Sequence, residues 1–97
     1  MNIITFPEME LGDIKKRFKK DLPVYSVRVS DERGKYSAGE RLMTEWGDMV
    51  AVVGKKEVSG GLPGLKSAYE YFDELDDKMI GELKGYEDMD ILTIRKI

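Results

Sequence analysis

Three observations predict an α+β fold for this chain. The apolar period is three to four over residues 11–22 and changes to two from Val24 onward. A Gly47-Asp48 pair separates two strand-like runs. A second stretch of helical spacing, residues 65–84, precedes a short alternating run at the C-terminal end. With 97 residues the sequence has material for a single domain, residues 1–97, around one core. The expected order is β-α-β-β-β-α-α-β, a small and mostly antiparallel β-barrel with flanking helices.

Each element has its own warrant. Residues 2–6, NIITF, are a short apolar run stopped by Pro7 and read as a first strand. Leu11, Ile14, Phe18 and Leu22 mark one face of a helix, with Asp13 near its start and Pro23 just past its end. Its outer face is KKRFKK, Lys15 to Lys20, five of whose six residues are basic. From Val24 the alternation places Tyr25, Val27 and Val29 on an apolar side and Ser26, Arg28 and Ser30 on a polar one.

After a charged turn, GERLMTEW reads as a strand with Leu42, Thr44 and Trp46 on one face. Gly47-Asp48 reads as a two-residue hairpin turn, with Gly supplying the positive φ of its first central position. The return strand MVAVVGKKEV is apolar on both faces in its middle, as a strand crossing a barrel core would be. Ser59 to Gly64, SGGLPG, reads as a loop. Leu65, Ala68, Tyr69, Phe72, Leu75, Met79, Ile80 and Leu83 follow helical spacing, and Asp73 with Asp76-Asp77 predicts a break into two helices, the second starting near Leu75. Ile91 to Lys96 alternate as a last strand.

Composition excludes several chemistries. There is neither Cys nor His, which removes thiol catalysis, disulfides, zinc sites of the usual kind and imidazole acid–base schemes. No window approaches the roughly 20 apolar residues of a membrane span, and the first residues lack a basic n-region, so a cytoplasmic protein without membrane association is expected. Charged residues make up 36% of the chain, Gln is absent and Asn2 is the single Asn, a bias resembling thermophile usage.

The net charge of −3 is unevenly spread: residues 1–58 carry eleven Lys/Arg against ten Asp/Glu, and residues 59–97 carry five against nine. A local basic patch is what a phosphate backbone responds to. GKKEVSGG, Gly54 to Gly61, lacks the Gly-Lys-Ser/Thr order of a phosphate loop. Glu70, Asp73, Glu74, Asp76 and Asp77 lack calcium-loop spacing and read as a solvated helix face. No metal and no cofactor is expected.

A strand ending in Arg28, a charged turn, then KYSAGERL and the WGDMVAVV hairpin together resemble the ASCH family of PUA-like domains over roughly residues 11–97. Tyr36, Gly39 and Glu40 match that family's aromatic-x-x-Gly-Asp/Glu turn. The family's Gly-x-Lys signature, five residues before the Arg, falls on Asp21 and Pro23, so the Arg carries over and the Lys does not. The resemblance implies a PUA-like barrel and a cleft for RNA or a nucleotide-like ligand. In family members acting as amidohydrolases on acylated nucleosides, the position of the catalytic Thr corresponds to Ser26.

The expected function is RNA or nucleotide-ligand binding without catalysis. Its candidate contacts are Arg28, Arg33, Lys35, Tyr36, Arg41, Lys16, Lys19, Lys20 and Trp46, the cations for phosphate and the aromatics for stacking, while Tyr25, on the apolar strand face, reads as core. One alternative is a small amidohydrolase using Ser26 with Lys19 or Lys20 swung toward the position of Pro23. Another is a protein-interaction module built on the basic helix. Against any ligand role stands a purely structural one, in which the turn cations pair with Asp31, Glu32, Glu40 and Glu45.

Overall fold

The computed structural model describes residues 2–97; Met1 lies outside them. The elements are β1 (Ile3–Ile4), α1 (Leu11–Lys19), β2 (Val24–Arg28), β3 (Arg41–Thr44), β4 (Met49–Val58), α2 (Gly61–Ala68), α3 (Asp77–Leu83) and β5 (Met89–Lys96), with short 3-10 turns at Glu8–Glu10, Ser30–Glu32 and Phe72–Glu74. The strands form one sheet in the order β1-β3-β4-β5-β2. β1 runs parallel to β3, with Ile3 opposite Met43, and β3 runs antiparallel to β4, with Arg41 opposite Ala51. The fold is α+β, and its mixed sheet is open. A barrel requires the edge strands to pair with each other, and among the described residues β1 and β2 are left as the two edges.

Contacts divide the chain into two units. The first comprises the chain up to Ser26, Tyr36–Lys55 and Leu92–Ile97. Its core gathers Ile4, Phe6, Ile14, Phe18, Leu42, Val50, Val52, Leu92 and Ile94, with Val24 and Tyr36. α1 is one residue-row deep into this core through Ile14 and Phe18, four apart on one face.

The helix ends earlier than its apolar spacing suggests. Asp21 takes a left-handed conformation at φ +57°. Its N–H donates to Phe18 O at 3.1 Å, and the Leu22 N–H donates to Arg17 O at 2.9 Å. This is the Schellman pattern, in which two terminal carbonyls find donors beyond the helix. Leu22 is thereby carried off the helix and is 42% exposed.

The β3–β4 hairpin also differs from expectation. The Gly47 N–H donates to Thr44 O at 3.1 Å, and the Thr44 N–H donates to Asp48 O at 2.8 Å. Thr44 and Asp48 therefore close a three-residue loop of Glu45, Trp46 and Gly47, with Gly47 at φ +93° in the bulge position. Trp46 consequently belongs to the turn and not to β3. In β4, Val50 and Val52 are fully buried while Val53 is 53% exposed, so the strand is not apolar-covered on both sides as a barrel-crossing strand would be.

The second unit comprises Val27–Lys35 and Lys56–Ile91. Val58, Leu65, Leu83, Met89 and Ile91 are its buried core, with Val27, Val29, Leu62, Phe72, Leu75 and Met79 packed against them. The SGGLPG segment starts a helix here instead of a loop, because the left-handed Gly60 turns the chain into α2 and Pro63 falls in the first turn, where it removes no needed donor. The predicted break between the later helices is present, and α3 is capped by the Asp76 carboxylate, which accepts the Met79 N–H at 2.8 Å.

The alternation of β2 is inverted relative to the sequence reading. Val24, Ser26 and Arg28 are the buried residues, and Tyr25, Val27 and Val29 are half-buried. Val24 belongs to the core of the first unit, and Val27 and Val29 pack against that of the second. The polar Ser26 and Arg28 are buried on the parity of Val24, so polarity does not mark the exposed face of this strand.

Candidate functional site

The charged turn after β2 lies in the second unit, and two left-handed residues shape it: Ser30 at φ +54° and Gly34 at φ +73°. Arg28, expected on a polar strand face, is 5% exposed. Its Nη1 donates to Glu32 Oε1 at 3.1 Å, and Lys35 Nζ lies 3.0 Å from the other oxygen of the same carboxylate. Arg33 faces Asp88 at 3.8 Å and Asp90 at 3.6 Å. Asp90, 2% exposed, also accepts the Gly34 N–H at 2.8 Å.

Glu32, Asp88 and Asp90 thus stand where an anionic ligand of these cations would stand. Of the carboxylates the sequence offers for this role, Glu32 takes it. Glu40 instead accepts the Ser37 N–H at 3.0 Å, and Glu45 lies 3.5 Å from the Phe6 N–H. Asp88 and Asp90 carry no local signal of their part, since the Gly34–Asp90 hydrogen bond spans 56 residues.

A second basic surface lies in the first unit. At 100° per residue, Lys15 and Lys19 lie along one flank of the Ile14/Phe18 stripe, and Lys16 and Lys20 lie on the far side of α1. All four are exposed. Arg17 lies on the opposite flank and donates from Nε to Pro23 O at 2.8 Å, bracing the helix end. Among the described residues, no carboxylate pairs with Lys16, Lys19, Lys20 or the exposed Arg41 at the start of β3.

Beside this flank stands Trp46. Its ring packs against Phe6 and Phe18 with centroids 6.1 and 6.5 Å away, tilted by 40° and 39°. Its Nε1 donates to Asp48 Oδ2 at 2.8 Å, and the other oxygen of Asp48 lies 3.8 Å from Lys96 Nζ. The Lys15 ammonium lies over the ring, 5.1 Å from its centroid, a cation–π contact of about 0.5–1 kcal/mol at a surface position.

The remaining candidates separate. Tyr36 is 3% exposed and belongs to the first core, which removes its ring from the surface, and Tyr25 is half-buried. Ser26 is 5% exposed, Pro23 is half-buried, and Lys19 and Lys20 point to solvent at the end of α1. Lys55, Lys56 and Glu57 continue β4, so the Gly54–Gly61 segment forms no phosphate-cradling loop. Among the described residues, no group of three or more acidic side chains is placed to hold a metal ion, and no helix is long and apolar enough to cross a membrane.

Comparison of the chain with protein-family models, with curated proteins and with solved structures returned no match.

Proposed function

We propose that this protein binds RNA or a nucleotide-type ligand through phosphate contacts, without catalysis, in the manner of an ASCH-like, PUA-like domain. The observation that carries the reading is the exposed row Lys15, Lys16, Lys19 and Lys20 on α1, next to an aromatic ring, with Lys16, Lys19 and Lys20 paired to no carboxylate among the described residues. Closely set lysines on one helix repel one another, and neutralisation by a polyanion relieves that repulsion while releasing condensed counterions. The cations of the charged turn contribute less, because a ligand must displace carboxylates already in place.

The family resemblance gains support at one position. The residue aligned with the signature Gly is Asp21, whose φ of +57° is a conformation that favours Gly. The open sheet gives the resemblance no such support.

The test is an electrophoretic shift against a mixed RNA pool at two salt concentrations, with the unaltered protein and a Lys16→Ala/Lys19→Ala/Lys20→Ala variant. Retardation at low salt that weakens at high salt and in the variant is the expected result. No shift at low salt, or equal shifts for both proteins, overturns the reading. Incubation with an acylated cytidine is expected to release product no faster than buffer, since the position of the signature Lys holds Pro23 and Ser26 is buried. Turnover abolished by Ser26→Ala would establish the hydrolase alternative instead.

A further inference from the structure

We infer that Trp46 is a stacking platform for one base of a single-stranded nucleic acid, and that the Lys15 ammonium caps the platform until a base displaces it. This rests on the reading of α1 as a phosphate-binding face and names the form of nucleic acid that face takes.

Trp46 is held on several sides. Phe6 and Phe18 pack against it, and Asp48 fixes the indole N–H. A ring ordered in this way loses little freedom when a ligand lands on it. Its position over a ring face is the one a stacked base would take, and Lys15 occupies it. The cap is easily moved, because a solvent-exposed ammonium on a flexible four-carbon stem regains full hydration when it leaves.

The displaced charge is then used again. A nucleotide stacked on Trp46 carries a phosphate on each side of its base, and Lys15 turns from the ring to one of them. Lys19, four residues on along the same flank, and Lys96, joined to the indole through Asp48, are further cations near the chain. Bases of a duplex keep their faces within the stack, so the platform selects unpaired strands.

Trp46 is the single Trp of the sequence, so its emission reports the platform directly. The full chain is titrated with oligouridylate, with a blunt RNA duplex of equal length and with inorganic polyphosphate, following emission and, by competition against a labelled strand, affinity. Quenching by oligouridylate alone is expected, although all three ligands bind. Trp46→Leu is expected to weaken oligouridylate binding by roughly 5- to 150-fold and to leave polyphosphate affinity unchanged. Should that variant fail to fold, the emission of the unaltered protein decides. Oligouridylate that binds without quenching, or polyphosphate that quenches equally, overturns the platform while the phosphate-binding face stands. Failure of all three polyanions to bind at low salt overturns both.

Discussion

Asp90 carries more of the charged turn than any of the turn's own residues. It is 2% exposed, receives the Gly34 N–H and faces the Arg33 guanidinium. Asp90→Ala leaves a backbone donor without its acceptor and is expected to lower unfolding free energy by about 2–3 kcal/mol. Asp90→Asn keeps an acceptor for Gly34 and is expected to cost about half as much. Lys35→Ala, removing a cation 53% exposed, is expected to change stability by less than about 1 kcal/mol. Urea denaturation of the three variants checks the ranking, and equal losses for Asp90→Ala and Lys35→Ala would contradict it. The sequence makes the crowding of Arg28, Arg33 and Lys35 plain. Glu32, the partner of Arg28 and Lys35, is legible beside them, whereas the partners of Arg33 stay hidden because Asp88 and Asp90 are distant in sequence.

Helix ends were legible where a side chain does the stopping, and obscure where a backbone conformation does. Asp76 marks the start of α3 from sequence alone, whereas α1 ends at Lys19, three residues before Leu22 and ahead of Pro23, because the left-handed Asp21 stops it. Asp21→Gly removes the Cβ penalty of that conformation, and is expected to raise stability by roughly 0.5 kcal/mol after the added freedom of the unfolded chain is counted. Asp76→Ala removes the acceptor of the Met79 N–H and is expected to cost about 1 kcal/mol. At Gly64, a Cβ would collide with the Ser59 carbonyl, so Gly64→Ala is expected to destabilise α2 despite Ala's better helix propensity. Thermal melts give all three signs, and a Gly64→Ala variant as stable as the parent would show that the turn at Gly60 can shift. The same close approach explains why SGGLPG resembles a loop: its glycines serve a tight entry into a helix, and turn chemistry has the same composition in either role.

At the scale of the molecule, the order of elements along the chain and the helix count follow from periodicity, while the strand order in the sheet, β1-β3-β4-β5-β2, does not. Nor does sheet closure, because it depends on whether two edges meet, and edges have no sequence period. Charge behaves similarly. Counting by halves of the sequence gives a nearly neutral first part, but counting by unit gives nine Lys/Arg against seven Asp/Glu in the first and seven against twelve in the second. The α1 lysines therefore belong to the net-positive unit, while Arg28, Arg33 and Lys35 belong to an acidic one. This partition separates the two candidate anion sites by salt dependence. If RNA lies on α1, the Lys16/Lys19/Lys20 triple Ala variant is expected to reduce the log–log slope of affinity against salt by about 2, at roughly 0.7 per lost phosphate contact on a single strand. Arg33→Ala/Lys35→Ala is expected to leave that slope unchanged, because cations already neutralised by Glu32, Asp88 and Asp90 bring no condensed counterions off the RNA. A slope that flattens in the double variant and not in the triple one would move the ligand from the helix to the turn, with the carboxylates there yielding their places to phosphate.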